Sequence, residues 1–402
     1  MGLNLQYPIP TYRMGAMLAA WGMKNCAIVE FGPMGTANYF DRALASYGLS
    51  GEKHPHFAVH TTDMELSLGC YDQLAAAIKE VLCRCRPELI FVFPSPVLGV
   101  VGVDVEGLIL EMGDISPVPI VVIPVSSFSA LYPAGAKSLL DKLMPFVREP
   151  EAVQPLTYQI LGLLPDDFHF QSDLNALKAM LLRYFGARCV CTFPYDCTPA
   201  KLAQLSQAQV NLVLRSEAMG CAAFLQEKFG TPFVFARPYG PAQTRHLCEE
   251  VARATGWKLN EDLLARDCEQ TAQLLHSAAL SWRRDRTAGF DRSVLLCAHE
   301  DTAAGMAAFL ETELQLSVTA FSSAPISGRL PQWRAEEWEQ LISSHPRSVL
   351  LADGSSQALY GSRTAVISHP ALRFRDLTGQ QPFLGLSGAL NLMQLIDDHR
   401  PL

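Results

Sequence analysis

Three cysteines near the middle of the chain, Cys189, Cys191 and Cys197, have the residue type and spacing of metal ligands. If residues 188–192 form a strand, Cys189 and Cys191 share one face of it, and Cys197 lies in the turn that follows. Thiolates bind zinc and iron, so the three could form a metal site. The alternative is that these thiols are packed in a core, since free cysteine behaves as a small buried hydrophobe.

Charged residues follow two predicted strands of the middle of the chain. Arg215 and Glu217 come after residues 211–214, and Arg237 comes after residues 233–236. The planar guanidinium group of arginine suits recognition of carboxylate or phosphate. In open α/β sheets ligands bind beyond the carboxyl ends of the strands, so these residues are candidates to line a cleft. They could form a buried ion pair or bind an anionic ligand.

A further strand exit, after residues 293–298, carries His299, Glu300 and Asp301. These side chains could bind a ligand. The alternative is that Asp301 caps the amino terminus of the next helix.

Glycine, serine and proline follow the first three predicted strands, which end at residues 31, 93 and 125. We expect these turns to meet at one site, because the strands belong to one parallel sheet. The alternative is that such turns only make tight connections between strand and helix. The candidate positions are Gly32, Gly35, Thr36, Ser95, Pro96, Gly99 and Ser126.

Short apolar runs alternate with helical patterns along the whole chain. The runs are rich in Val, Ile, Leu and Phe and mostly do not alternate with polar residues, which is typical of strands buried on both faces of a parallel sheet. The pattern predicts an α/β fold with three doubly wound, Rossmann-like parallel-sheet domains around a central cleft. The predicted strands are residues 26–31, 89–93, 120–125, 158–163, 188–192, 211–214, 233–236, 293–298, 318–321, 348–351 and 364–367.

Composition sets the predicted domains and excludes several classes of function. A chain of 402 residues is long enough for two or three domains. Linker-like segments place them at residues 1–150, 156–286 and 287–402, the last with a C-terminal helix. A net charge of −8 argues against a nucleic-acid surface. The amino terminus lacks an apolar signal region, and the longest apolar run is too short to span a membrane. The 11 cysteines suit a reducing compartment. We therefore expect a soluble, cytoplasmic protein.

The order of several short motifs resembles the nitrogenase component 1 family, which includes cofactor-assembly scaffolds and dark-operative protochlorophyllide reductases. Residues 31–36 resemble the family's "HGPxGC", and residues 93–104 resemble "YSTCxxGLIGDD". Residues 215–240, which include Glu227 to Pro232, resemble "LEExYGIPxxxxxPxG", and residues 386–390 resemble the closing "GYxGA" helix. The resemblance covers nearly the whole chain.

The cluster ligands of that family are absent from the matching positions. The resemblance implies a bridging iron–sulfur cluster held by cysteines of both subunits, but the positions here are Thr36, Pro96 and the region of Tyr7 and Pro8. The cysteine that holds the metal cofactor of nitrogenases would fall at Leu214 or Arg215. None of these residues supplies a thiolate.

The resemblance therefore implies a cluster-less subunit of a nitrogenase-like reductase. It would pair with a homologous subunit or with itself as a dimer, and an ATP-dependent iron protein would deliver electrons. Any iron–sulfur cluster, metallocofactor or tetrapyrrole would be shared with the partner subunit. The alternatives are a non-catalytic scaffold that holds such a cofactor in the cleft, and a structural partner of a catalytic homologue.

Overall fold

The computed structural model describes most of the chain. The described residues are 11–33, 40, 44, 47, 54–62, 64–65, 72–113, 115–124, 131–284, 289–372 and 381–401.

The strands of the described residues form three parallel sheets of four strands each, which confirms the predicted α/β fold class. The sheet orders are β2–β1–β3–β4, β6–β5–β7–β8 and β10–β9–β11–β12, so the strand order reverses at the same place in every sheet. The strands are β1 (Cys26–Pro33), β2 (His56–Thr61), β3 (Leu89–Pro94), β4 (Ile120–Val122), β5 (Thr157–Leu163), β6 (Arg188–Pro194), β7 (Val210–Val213), β8 (Phe233–Phe235), β9 (Ser293–His299), β10 (Ser317–Ala324), β11 (Val349–Asp353) and β12 (Thr364–Ser368).

Helices connect the strands. They are α1 (Tyr12–Trp21), α2 (Asp72–Cys85), α3 (Pro96–Val101), α4 (Val105–Glu111), α5 (Tyr132–Leu143), α6 (Phe170–Phe185), α7 (Pro199–Ala203), α8 (Met219–Phe229), α9 (Gly240–Thr255), α10 (Glu261–Arg284), α11 (Glu300–Thr312), α12 (Ala335–Ser344), α13 (Gly354–Tyr360) and α14 (Gly385–His399).

Apolar side chains on both faces of the strands explain why the sheets are buried. All residues of β3 and of β5 are buried. Strand β3 is an unbroken apolar run, whereas β5 also buries the polar residues Thr157 and Gln159. Helix α2 buries Leu74, Ile78 and Val81, which lie on one face at helical spacing and pack against the first sheet.

Strand β2 is not predicted from the sequence, where residues 56–61 are assigned to no strand. Only Val59 and Thr61 are buried in it, and its sequence alternates with polar residues such as His60. It pairs with β1 alone, at the edge of the sheet. An edge strand needs few apolar residues, so a search for continuous apolar runs misses it.

One predicted boundary is also corrected. The strand predicted at residues 120–125 ends at Val122.

The chain divides into two compact units. Among the described residues, one unit comprises 151–190 and 207–401, with the sheets that contain β5 and β9. The other comprises 11–150 and 191–206, with the sheet of β1 to β4. The division into three domains at 1–150, 156–286 and 287–402 stays a prediction that assigns one sheet to each domain.

In the described part of the chain, no helix combines the length and the apolar character that a membrane crossing requires.

Candidate functional site

Charged side chains collect at the carboxyl ends of strands in the unit that contains β5 and β9. Asp166 and Asp167 follow β5, Arg215 follows β7, Arg237 follows β8, and His299 ends β9. Strands β5 and β7 are neighbours where the strand order of their sheet reverses. Open α/β sheets bind ligands at this switch point, so we take this cluster as the candidate site.

Arg215 is completely buried between two carboxylates. Its Nη1 donates to Asp166 Oδ2 at 2.7 Å, and its Nη2 donates to Glu217 Oε1 at 2.6 Å. Burial acts to raise the pKa of Glu217, but Arg215 and His299 outweigh it and hold that pKa well below its usual range. The buried ion pair that the sequence allowed is thus present, and the protein's own carboxylates occupy the guanidinium group.

A glycine lets β5 pass close to this ion pair. Gly162 has a φ of +81°, in the left-handed region, and a Cβ there would lie 3.2 Å from the backbone nitrogen of Arg215 and 3.0 Å from the Cβ of Ala218. Any larger residue would press on the turn that carries Arg215.

Arg237 links β8 to the start of α11. Its two terminal nitrogens each donate to one oxygen of Asp167 at 3.2 Å, and Nη2 also donates to Thr302 Oγ1 at 2.6 Å. Nε donates to the hydroxyl of Tyr239 at 2.9 Å. Burial acts to raise the pKa of Asp167, but Arg237 and Arg215 lower it below its usual range. Arg237 is therefore held as an ionised, fully hydrogen-bonded partner of Asp167.

His299 connects the Arg215–Glu217 pair to α11. Its Nδ1 accepts a hydrogen bond from the Asp301 N–H at 3.3 Å, and its Nε2 lies 3.0 Å from Glu217 Oε1. Because Nδ1 accepts, the proton of the neutral ring is on Nε2 and is donated to Glu217. Asp301, predicted as the helix cap, lies instead in the first turn. It accepts hydrogen bonds at 2.7 Å from the N–H and the hydroxyl of Ser216.

Glu217, His299 and Asp301 are the one group of three among the described residues whose ligand atoms all lie within 4.8 Å of one another. Their chemistry does not fit a metal well. A metal at Nε2 requires that nitrogen without its proton, which here faces Glu217. The carboxylates are also paired with Arg215 and Arg329. The arrangement is better explained as a hydrogen-bonded charge network.

Glu300 is buried beside this network and holds the loop between β10 and α12. Its carboxylate accepts hydrogen bonds from the Ser327 N–H at 2.9 Å, the Ser327 hydroxyl at 2.7 Å and the Arg329 N–H at 2.7 Å, and also from the Ile326 N–H. Burial acts to raise the pKa of Glu300, but these hydrogen bonds lower it to about 2. The loop is therefore fixed over the carboxyl end of β9.

A cavity of about 30 Å³ opens next to the arginine pairs and is lined by Asp166, Asp173, Tyr239, His299 and other residues. It is large enough for a water molecule, which needs roughly 10–15 Å³ of such volume. Burial raises the pKa of Asp173 to about 7 and that of Tyr239 to about 12. Asp173 is therefore a buried carboxyl group that gains or loses its proton near neutral pH.

Two backbone amides hold Asp173 in place. The N–H groups of Phe383 and Leu384 donate to Oδ1 at 2.6 and 2.9 Å. Both bonds use the same oxygen, which leaves Oδ2 as the atom suited to carry the proton.

Gly32 and Ser95 pack against each other where β1 and β3 end. Gly32 has a φ of +154°, and a side chain there would overlap the side chain of Ser95. The Ser95 N–H donates to Phe31 O at 2.7 Å. The close approach of these two loops therefore requires a glycine.

Pro96 begins helix α3, with Ser95 as the residue before it, and Gly99 lies inside the same helix. Proline suits the first position of a helix because its missing N–H would have no partner there. The remaining predicted positions of these loops, Gly35, Thr36 and Ser126, lie outside the described residues.

The predicted cysteine group is brought together only in part. Cys191 and Cys197 are buried, with 3.7 Å between their sulfur atoms, whereas Cys189 is half-buried. In the described part of the chain, no cysteine belongs to a group of three ligand atoms within 4.8 Å. The metal site at these cysteines stays a prediction.

Five residues of the site are not predicted from the sequence: Asp166, Asp167, Asp173, Tyr239 and Arg329. Asp166 and Asp167 follow β5 directly, so their position at a strand exit is a signal that the sequence does carry. Asp173 lies in helix α6 and Arg329 in a loop, and neither position carries a signal in the sequence.

Comparisons with known proteins agree with the fold. Residues 12–399 match the family model described as nitrogenase component 1 type oxidoreductase. A solved nitrogenase structure, Cp1 at pH 6.5, has a TM-score of 0.78 at 16% identity, with 99% of this chain and 93% of that chain covered. At this level of identity, the likeness shows the fold alone.

Two curated relatives differ in how much of the chain they match. The nitrogenase iron-molybdenum cofactor biosynthesis protein NifE of Bradyrhizobium diazoefficiens is 21% identical over 410 residues, which cover 96% of this chain and 72% of that protein. One light-independent protochlorophyllide reductase subunit, from Rhodopseudomonas palustris, is 28% identical over 271 residues, 63% of this chain and 50% of that protein. The matched region thus spans about half the length of such reductase subunits.

Proposed function

Because the chain belongs to the family of nitrogenase component 1 type oxidoreductases, we propose that it acts as a component 1-like subunit that holds no iron–sulfur cluster of its own. In this role it works in the cytoplasm, paired with a homologous subunit or with a second copy of itself. The partner subunit supplies the cluster ligands, and an ATP-dependent iron protein supplies the electrons.

The observation that carries this proposal is the structure of the loop after β3. Pro96 stands where the family resemblance requires a ligand cysteine, and it begins helix α3 instead. A [4Fe–4S] cluster is normally held by four cysteine thiolates. Proline has no donor side chain, and the preceding Ser95 is packed against Gly32. These residues do not fit a cluster.

Arg215 supports the same conclusion for the metal cofactor. It occupies one of the two positions where the cofactor cysteine would fall, and it is held between Asp166 and Glu217. A guanidinium group has only hydrogen-bond donors and cannot ligate a metal ion. Removal of this buried charge would leave Asp166 without its ion-pair partner and Glu217 with only His299, so the position is specialised for its ion pairs.

The contribution of this chain to a reductase is then the polar cavity beside the ion pairs. Reductions that consume electrons also consume protons, and a general acid works best when its pKa is near the operating pH. Burial raises the pKa of Asp173 to about 7. Asp173 Oδ2 is the atom that would hold and release a proton.

Anaerobic purification with iron and acid-labile sulfide analysis tests the proposal. We expect wild-type chain purified alone to hold no stoichiometric iron or sulfide, even after reconstitution with ferrous iron and sulfide. The double variant Thr36→Cys with Pro96→Cys restores two thiolates and is the matched comparison, with higher iron retention expected. Stoichiometric iron and sulfide in the wild type would contradict the proposal.

Size-exclusion chromatography with light-scattering and absorption detection tests whether the chain binds a partner subunit. We expect the chain to form a defined complex with a component 1-like chain of the same organism that keeps the loop cysteines, and this complex to show the absorption of an iron–sulfur cluster. Separate elution of the two chains, with a self-paired dimer also absent, would count against the subunit role.

A scaffold role is the second candidate, and one observation favours it. The similarity to the cofactor biosynthesis protein NifE extends over 96% of the chain, against 63% for the protochlorophyllide reductase relative. A scaffold would bind a metallocofactor or a tetrapyrrole without turnover. Titration with protochlorophyllide, followed by absorption, distinguishes the two: binding by this chain alone, without reduction by the assembled complex, favours the scaffold.

A further inference from the structure

Two buried thiols face each other in the unit that contains β1. Cys191 lies in β6 and Cys197 lies in the turn after it, and their sulfur atoms are 3.7 Å apart in a thiol–thiol hydrogen bond. Cys197 is fully buried and Cys191 is 8% exposed. A disulfide has an S–S distance of about 2.05 Å, so a movement of less than about 2 Å would join them.

The turn between the two cysteines is held by several hydrogen bonds. The Thr192 hydroxyl donates to Tyr195 O at 2.7 Å, and the Cys197 N–H donates to Pro194 O at 3.2 Å. The Lys24 N–H donates to Cys197 O at 2.8 Å and so fixes Cys197 from the side of α1. These hydrogen bonds therefore hold the two thiols opposite each other in the folded protein.

The two thiols differ in acidity. The hydrogen bond between Cys191 and Cys197 lowers the pKa of Cys191, with help from the charge of Lys201, although burial and the charge of Asp196 oppose it. The same hydrogen bond and burial raise the pKa of Cys197 well above its usual range. Cys191 is therefore the thiol that ionises first, and the thiolate is the reactive form.

A metal ion is a poorer occupant than a disulfide. Two thiolates on a tetrahedral zinc ion would also lie about 3.7–3.8 Å apart, given Zn–S bonds of about 2.3 Å. A structural zinc site needs four ligands. Among the described residues, no third Cys, His, Asp or Glu ligand atom lies within 4.8 Å of both sulfur atoms. Two cysteines are enough for a disulfide, but they are too few for a structural zinc site.

We propose that Cys191 and Cys197 form a reversible disulfide when the protein meets a peroxide. The Cys191 thiolate attacks hydrogen peroxide, the O–O bond breaks, and a sulfenic acid and hydroxide form. The Cys197 sulfur then attacks Cys191 Sγ and expels the oxygen, which leaves as water after taking up the Cys197 proton. In total, two thiols lose two electrons and two protons, and one peroxide becomes two water molecules.

Differential alkylation with mass spectrometry tests this on the full-length protein. The folded protein is treated with hydrogen peroxide, unfolded, labelled with one alkylating reagent, reduced, and labelled with a second. We expect both Cys191 and Cys197 to carry the second label instead of the first. The peptides that contain them should be linked to each other before reduction. Cys248 and Cys268 are the matched control, because both are buried neighbours that do not hydrogen-bond to each other. They should keep the first label.

Two variants locate the reaction. Cys197→Ser should leave Cys191 as a sulfenic acid, which dimedone traps, and no disulfide should form. Lys201→Met, at an exposed position, should slow the oxidation several-fold without loss of fold, because the thiolate of Cys191 loses its cationic neighbour. The proposal is overturned if Cys191 and Cys197 both keep the first label after peroxide, or if Cys248 and Cys268 oxidise at the same rate.

Discussion

Glu217 accepts hydrogen bonds from the guanidinium of Arg215, two residues earlier in the chain, and neither side chain is exposed to solvent. The pair joins the exit of β7 to that of β5 through Asp166 and to that of β9 through His299. A buried ion pair is costly to assemble, but the removal of one partner is costlier still, because it leaves the other charge uncompensated.

Replacement of Arg215 by methionine should therefore destabilise the protein strongly. We expect Arg215→Met to lower the free energy of unfolding by about 3–5 kcal/mol. Arg183 is the matched control: it pairs with Asp267 at the surface and is 52% exposed, so Arg183→Met should cost less than about 1 kcal/mol. Urea denaturation measures both. If the triple change Arg215→Met, Glu217→Gln and Asp166→Asn recovers no stability, then unpaired charge is not the cause.

Asp173 should make stability fall as the pH rises towards neutral. Its pKa is raised to about 7 in the folded protein, whereas an unfolded chain releases this proton near pH 4. Between these values the folded state binds the extra proton, so its stability decreases with pH, by up to roughly 4 kcal/mol in total.

Asp173→Asn isolates this effect. The amide oxygen can still accept the Phe383 and Leu384 N–H groups, but it cannot ionise. Unfolding curves from pH 4 to pH 8 should show the difference between the variant and the wild type growing in favour of the variant. A constant difference over this range would mean that Asp173 titrates normally.

Glu300 should have the opposite pH dependence. Its pKa is lowered to about 2, so its contribution is present above the unfolded pKa of about 4.3 and is lost as the pH falls towards 2. Glu300→Gln should cost about 2 kcal/mol at pH 7 and almost nothing at pH 2. Hydrogen exchange of the Ile326, Ser327 and Arg329 amides should speed up at pH 7 in the variant. Unchanged hydrogen exchange at these amides would mean that Glu300 does not hold the loop in place.

Gly32→Ala tests the close contact between the ends of β1 and β3. The new methyl group overlaps Ser95, and a forced shift of this kind costs about 1–3 kcal/mol beyond the backbone strain. Gly102 is the control, since it ends α3 with a φ of +82° and has no atom within 4 Å of an added Cβ; Gly102→Ala should cost only about 1 kcal/mol. Equal thermal shifts for the two variants would contradict the contact.

The sequence determined the α/β class and most strands. Strand β3 is apolar throughout and β5 is apolar apart from Thr157 and Gln159, so both can be recognised without knowledge of the strands they pair with. It also placed Arg215, Glu217 and Arg237 at strand exits, where side chains lie at a common edge of the sheet. It missed β2, whose apolar residues are too few for an unbroken run. The identity of Pro96, which has no thiol, is likewise readable from the sequence alone.

Only the tertiary structure decided which charges meet. Asp173 comes near Phe383 across more than 200 residues of sequence, and Arg329 reaches Asp301 from a loop of another connection. Pairing at such separations depends on how helices pack on the sheets, which no local pattern encodes. The acidity of Asp173 and the facing of Cys191 and Cys197 follow from burial in the folded chain, because desolvation and distance act only once the surrounding residues are in place.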